Sequence, residues 1–145
     1  MIGYLLVIAV FPYIASSQTV FVTAQRNLLN TFGNYRSHCI EKTHPNISFV
    51  NRWLIEKQTP DKSLGSFIKC LLTKSNILDT NLSINEKHFM DATKVVPNDI
   101  MRNIIDTCEK EISKSPCELS YKKFICICSS LKTSLNYFNR KPVVE

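Results

Sequence analysis

The sequence predicts an all-α chain of about six short helices cross-linked by disulfides, and three observations carry that prediction. Glycine is nearly absent, with Gly3 near the N-terminus and only Gly33 and Gly65 beyond it, and no Asn-Gly or Asp-Gly pair joins alternating segments as a hairpin would require. Apolar residues recur instead at three- and four-residue steps, the period of a helix buried on one face. Six cysteines in 145 residues point to an oxidising compartment, where disulfides persist and stabilise a small domain.

The segment 1–17 carries no charged side chain, runs apolar through Ile14 and ends with Ala15 and Ser17 at cleavage spacing. It reads as a signal peptide, too short to span a bilayer, followed by one helical domain over 18–145. The expected product is secreted and extracellular, without stable membrane insertion. Two glycosylation sequons, Asn46-Ile47-Ser48 and Asn81-Leu82-Ser83, fit export.

The first helix is expected from about Val20 to Cys39, with Phe21, Ala24, Leu28, Phe32 and Tyr35 on one stripe. A second, about Ile47 to Lys57, carries Val50, Trp53 and Leu54, and a third, about Leu64 to Lys74, carries Phe67, Ile68, Leu71 and Leu72. Ser83-Ile84-Asn85-Glu86 has the form of a capping box opening a fourth helix through Lys94, with Phe89 and Met90 inward, before Pro97 interrupts the chain. The fifth spans about Asp99 to Lys114, with Ile100, Ile104, Ile105, Cys108 and Ile112 on one face. Ser115-Pro116-Cys117-Glu118 starts the sixth with an N-cap serine, a proline at the first position and a second capping-box glutamate, and this helix runs past Leu131 toward Phe138.

The formal net charge is +6, none of it in the apolar leader. Lys57, Lys62, Lys69, Lys74, Lys87, Lys94, Lys110 and Lys114 alternate with Glu56, Asp61, Glu86, Asp91, Glu109 and Glu111, the pattern of a solvated helical surface. No nucleic-acid motif accompanies the charge, so no nucleic-acid partner is expected. Catalytic signatures are missing as well: no phosphate-cradling Gly-rich loop, no His-Glu-x-x-His pair and no Gly-x-Ser-x-Gly elbow. Cys126-x-Cys128 faces two sides of a helix, which argues against zinc. The expectation is a protein that is not an enzyme and carries no cofactor or metal.

Cys39, Cys70, Cys108, Cys117 and Cys126 form a ladder in which Cys117 and Cys126 enclose eight residues, and Ser66 is separated from Cys70 by three residues. Six short amphipathic helices with these intervals resemble the insect odorant-binding protein family over nearly the whole mature chain, with serine at Ser66 in place of the second family cysteine. An alternative register makes Cys70 the second cysteine and Lys74 the vacant third, but both long intervals then fit less well. The resemblance implies disulfides Cys39 to Cys70 and Cys108 to Cys126, and it leaves Cys117 without its partner. The extra Cys128 cannot replace that partner within one helix, since eleven residues rise roughly 16 Å while a disulfide needs Cα atoms about 4.4–6.8 Å apart. Cys117 and Cys128 are therefore uncertain thiols, either inert and buried or bonded to another molecule.

The resemblance further implies an internal apolar pocket bounded by the first, fourth, fifth and sixth helices, holding a small hydrophobic ligand such as an odorant, a pheromone or a fatty-acid-like lipid. Matching helix positions nominate Leu28, Phe32, Phe89, Met90, Met101, Ile105 and Phe124 as its lining, with Trp53 or Phe138 as a lid; each has plain core packing as the rival role. Related carriers release ligand as pH falls through histidines and a C-terminal segment, which singles out His88 beside Phe89 among His38, His44 and His88, together with a tail bearing Tyr137, Phe138, Val143 and Val144. A chemosensory receptor is the implied macromolecular partner, for a monomer or a homodimer. Rival roles are a salivary, seminal or haemolymph scavenger of the same fold, or a secreted helical signalling protein acting through its surface. Amine capture would need carboxylates in the pocket, and signalling bundles need longer helices than Pro45, Pro60, Pro97 and Pro116 permit, so a carrier of apolar or anionic lipid-like ligands fits the basic chain best.

Overall fold

The computed structural model describes residues 20, 22–56 and 58–140, with side chains described as far as residue 134. The leader 1–17, the tail 141–145, Phe21, Lys57 and the side chains of Tyr137 and Phe138 lie outside the described residues. Seven helices and no strand make up the described chain, so the fold is all-α. They are α1 (22–33), α2 (Arg36–Thr43), α3 (Ile47–Glu56), α4 (Gly65–Lys74) entered through a 3₁₀ turn at Lys62–Leu64, α5 (Glu86–Ala92), α6 (Asn98–Cys108) and α7 (Pro116–Arg140). No described helix is long and apolar enough to cross a membrane.

The expected first helix divides in two. At Gly33, a poor helix former, the chain leaves the helix; Tyr35 N donates to Phe32 O in a tight turn, and α2 starts anew at Arg36. That break delivers Cys39 to Cys70, with Cα atoms 5.7 Å apart in a disulfide. His44 then ends α2 in a left-handed conformation, its N–H donating to Ile40 O. Asn46 Oδ1 accepts from Ser48 N just before α3 begins.

Two boundaries differ from the expected capping pattern. Asn85, not Ser83, caps α5 by accepting from His88 N, because Ile84 is engaged in a bridge with Leu78 that holds the preceding loop extended. Glu86 is thereby free to pair with Arg102 of α6 at 3.3 Å. α6 stops at Cys108 rather than Lys114, where the disulfide to Cys126 turns the chain back along α7, and Ile112, expected on the buried face, is 82% exposed in the connecting loop. The start of α7 follows the sequence more closely. Glu118 N donates to Ser115 Oγ, while the Glu118 carboxylate accepts from Ser113 Oγ instead of closing the box; that hydrogen bond, and next the nearby Lys122 ammonium, hold its carboxyl below the usual range.

α7 is the spine. Among helices α2 to α7 its most extensive contacts are with α4, then with α6, and α2 packs against α4. The core between them is one continuous apolar cluster in which Phe32, Val50, Phe67, Ile68, Leu71, Leu72, Phe89, Met101 and Ile127 are almost fully buried. Each such side chain contributes about 1.5–3 kcal/mol of transfer free energy. The disulfides Cys39–Cys70 and Cys108–Cys126 fasten α2 to α4 and α6 to α7, and they are the pairs the family resemblance implies. Opposite Cys117, at the N-terminal end of α4, stands Ser66: its Oγ lies 3.4 Å from Cys117 Sγ, where a third cross-link would sit.

Candidate functional site

A partly enclosed cavity of about 390 Å³ lies between α1, α3, the segment 58–60 and α7, a volume within the range of small-molecule sites. Its apolar wall is built from the buried stripe of α1, where Leu28, Leu29 and Phe32 recur at helical spacing, and from Trp53 of α3 and Phe124 and Ile125 of α7. Three rings set its shape. Phe124 meets Phe32 edge-on at 5.9 Å and Trp53 at 5.3 Å, and Trp53 in turn meets Phe67 at 6.2 Å. On the other side Tyr121 Oη donates to Pro60 O at 2.8 Å, which pins the 58–60 segment across α7. Pro60 completes the apolar part, and the remaining wall is polar: Gln25, Gln58, Thr59, Cys128, Ser129 and Lys132.

Of the residues nominated from sequence, Leu28, Phe32, Trp53 and Phe124 come together around this cavity. Trp53 stands in the wall, only 6% exposed and packed between two rings, rather than over the mouth as a lid. Phe138 lies outside the described side chains. Phe89, Met101 and Ile105 are buried in the continuous core and Met90 packs against it; none of the four faces the cavity. The boundary therefore differs from the expected one. α5 and α6 close the core by direct packing instead of standing back from it, and α3 with the 58–60 segment takes their place.

His88 is exposed on α5, one position from the inward-facing Phe89, and does not approach the cavity. His44 is exposed as well. Cys117 and Cys128 are both free and half-buried, and they occupy different surroundings. Cys117 faces Ser66 at the foot of α4, whereas Cys128 faces the cavity, where burial pushes its thiol up to about 12.

Sequence reasoning missed Gln25, Leu29, Gln58, Thr59, Pro60, Ile125, Cys128, Ser129 and Lys132 as cavity residues. The signal for part of this set was present: Cys128 and Lys132 follow Phe124 at four-residue steps on one face of α7, and Gln25, Leu28 and Phe32 share a face of α1. For Gln58 and Thr59, in an irregular segment, no periodicity existed to read. Among the described residues no cluster of His, Cys, Asp and Glu could hold a metal ion.

No curated protein matches this chain closely enough to count as a relative. A family model does, that of the PBP/GOBP family, which matches residues 23–130 and so takes in α1 to α6, both disulfides and the first half of α7. With the helical architecture, the two cross-links and the serine opposite Cys117 already in place, that match settles the classification: the chain belongs to the PBP/GOBP family, the insect odorant-binding proteins.

Proposed function

We propose that the protein is a secreted carrier that takes up a small, largely apolar molecule in the cavity between α1, α3 and α7. Members of the family are binding proteins for small hydrophobic ligands, not enzymes. The observation that carries the assignment to this cavity is its lining: seven apolar side chains, three of them aromatic, beside six polar ones. Such a surface binds by desolvation, while the polar groups orient the ligand. The leader and the disulfides fit release from the cell, and the unshared position of Ser66 makes this a two-disulfide variant of the fold.

Trp53 is the chain's single tryptophan and stands in the cavity wall, which makes the test direct. Titrating the purified protein with decanol should quench or blue-shift Trp53 emission saturably, and Phe124→Ala, which removes the ring between Trp53 and Phe32, should weaken binding at least fivefold, since truncating a buried aromatic in a pocket costs about 1 kcal/mol or more. An emission spectrum unmoved by decanol, together with failure to displace a fluorescent apolar probe, would reject the assignment.

A further inference from the structure

We infer that the ligand carries a carboxylate, or an equivalent single negative charge, and that Lys132 receives it at the polar end of the cavity. The inference rests on the carrier reading above and adds the ligand's charge to it. The polar lining residues Gln25, Gln58, Thr59, Cys128 and Ser129 are all neutral, Lys132 is the lining's one ionisable cation, and no Asp or Glu is among them. Lys132 is exposed, and among the described residues it forms no ion pair, so its ammonium is not already neutralised from within the fold.

The helix register makes the arrangement an axis. Phe124, Cys128 and Lys132 succeed one another along one face of α7, so the wall runs from an aromatic cluster, past a neutral thiol, to a cation about 12 Å further along the helix. A molecule lying along that wall with its chain on Leu28, Phe32, Trp53 and Phe124 meets Lys132 with its other end. A positive head group would meet Lys132 with nothing to offset the repulsion, and a neutral one would gain only a hydrogen bond. Cys128 brings no competing charge, since its thiol is protonated at neutral pH and burial shifts it further in that direction. The chain's net charge of +6 favours the approach of an anion from solution in the same sense.

The test compares four ligands of one chain length, decanoate, methyl decanoate, decanol and decylamine, at neutral pH and below their aggregation limits, read by Trp53 emission and by displacement of a fluorescent apolar probe. For the full secreted chain, decanoate should bind about fivefold tighter than decanol, the scale of an exposed ion pair, with the preference shrinking at high salt. Lys132→Gln should remove the preference of decanoate over decanol, and Lys132→Glu should invert it in favour of decylamine. Lys74→Gln, a charge removed from an exposed position outside the cavity, should change nothing. Equal binding of decanoate and decanol by the natural protein, or a Lys132→Gln variant that keeps the preference, would overturn the assignment of charge while leaving the apolar cavity in place. Binding of none of the four would overturn the carrier reading itself.

Discussion

One side chain departs sharply from the pattern of its type. Lys123 points into the interior, 4% exposed, where its Nζ donates to Leu82 O and lies 3.4 Å from Glu109 Oε1. The same carboxylate oxygen accepts from Ile84 N, so one partly buried ion pair ties α7 to the end of α6 and to the loop between α4 and α5. Leu82, whose carbonyl Lys123 holds, sits in the left-handed region at φ 63° with its side chain in the core, a conformation that costs about 1 kcal/mol for such a residue. Lys123→Met should therefore destabilise the protein by about 2–3 kcal/mol in urea unfolding, since it leaves Glu109 and the Leu82 carbonyl without their partner. Retention of full stability would show that the pair contributes nothing beyond its packing. Cys128 gives a second prediction at this scale, with the opposite pH sense to an acidic group. Its thiol rises from an ordinary 9.0 to about 12 in the folded protein, so the stability linked to its proton is complete below pH 9 and is lost as pH rises toward 12. Unfolding free energy should fall more steeply over that window in the natural protein than in Cys128→Ala, with the two curves running parallel below it.

Between α4 and α7 the fold does without a cross-link. The apolar faces of the two helices, with Phe67, Leu71 and Leu72 on one side and Phe124, Ile127 and Leu131 on the other, belong to one buried cluster, and this is the most extensive pairing among helices α2 to α7. Packing thus accounts for an alignment that a disulfide would otherwise enforce, and the 3.4 Å approach of Ser66 Oγ to Cys117 Sγ shows that the two backbones are already in place. Ser66→Cys should accordingly form a third disulfide with Cys117 on oxidative folding. The added bond should raise stability by about 2–4 kcal/mol, a gain of roughly 10 °C in Tm, by restricting the unfolded chain. Thiol counting would then find one free cysteine, Cys128. Two free thiols with no change in Tm would mean that the side chains at these positions do not reach bonding geometry. The division of α1 from α2 belongs to this scale too: apolar spacing continued through Gly33, and only the need to bring Cys39 against Cys70 made the break visible.

Across the molecule, what the sequence determined by itself was local or covalent. Helical periodicity located the elements, because each buries one face and the 3.6-residue repeat records that face wherever the chain goes. The family that the cysteine intervals resemble implied both disulfides and the serine standing where a further cysteine would be, and the structure forms both bonds. Boundaries were less legible where a side chain had two possible partners: Glu118 bonded Ser113 rather than the Ser115 backbone, and Glu86 turned to Arg102. The site was legible only in part. Leu28, Phe32, Trp53 and Phe124 were readable as apolar faces, but an apolar face records that a residue is buried and not whether a neighbour fills the space before it. The tertiary structure decided that. It packed Phe89, Met101 and Ile105 against their neighbours, left the gap between α1, α3 and α7, buried Lys123 and set Lys132 at the end of the gap. Those outcomes depend on how whole helices sit against one another, a relation between residues distant in the chain that no local period encodes.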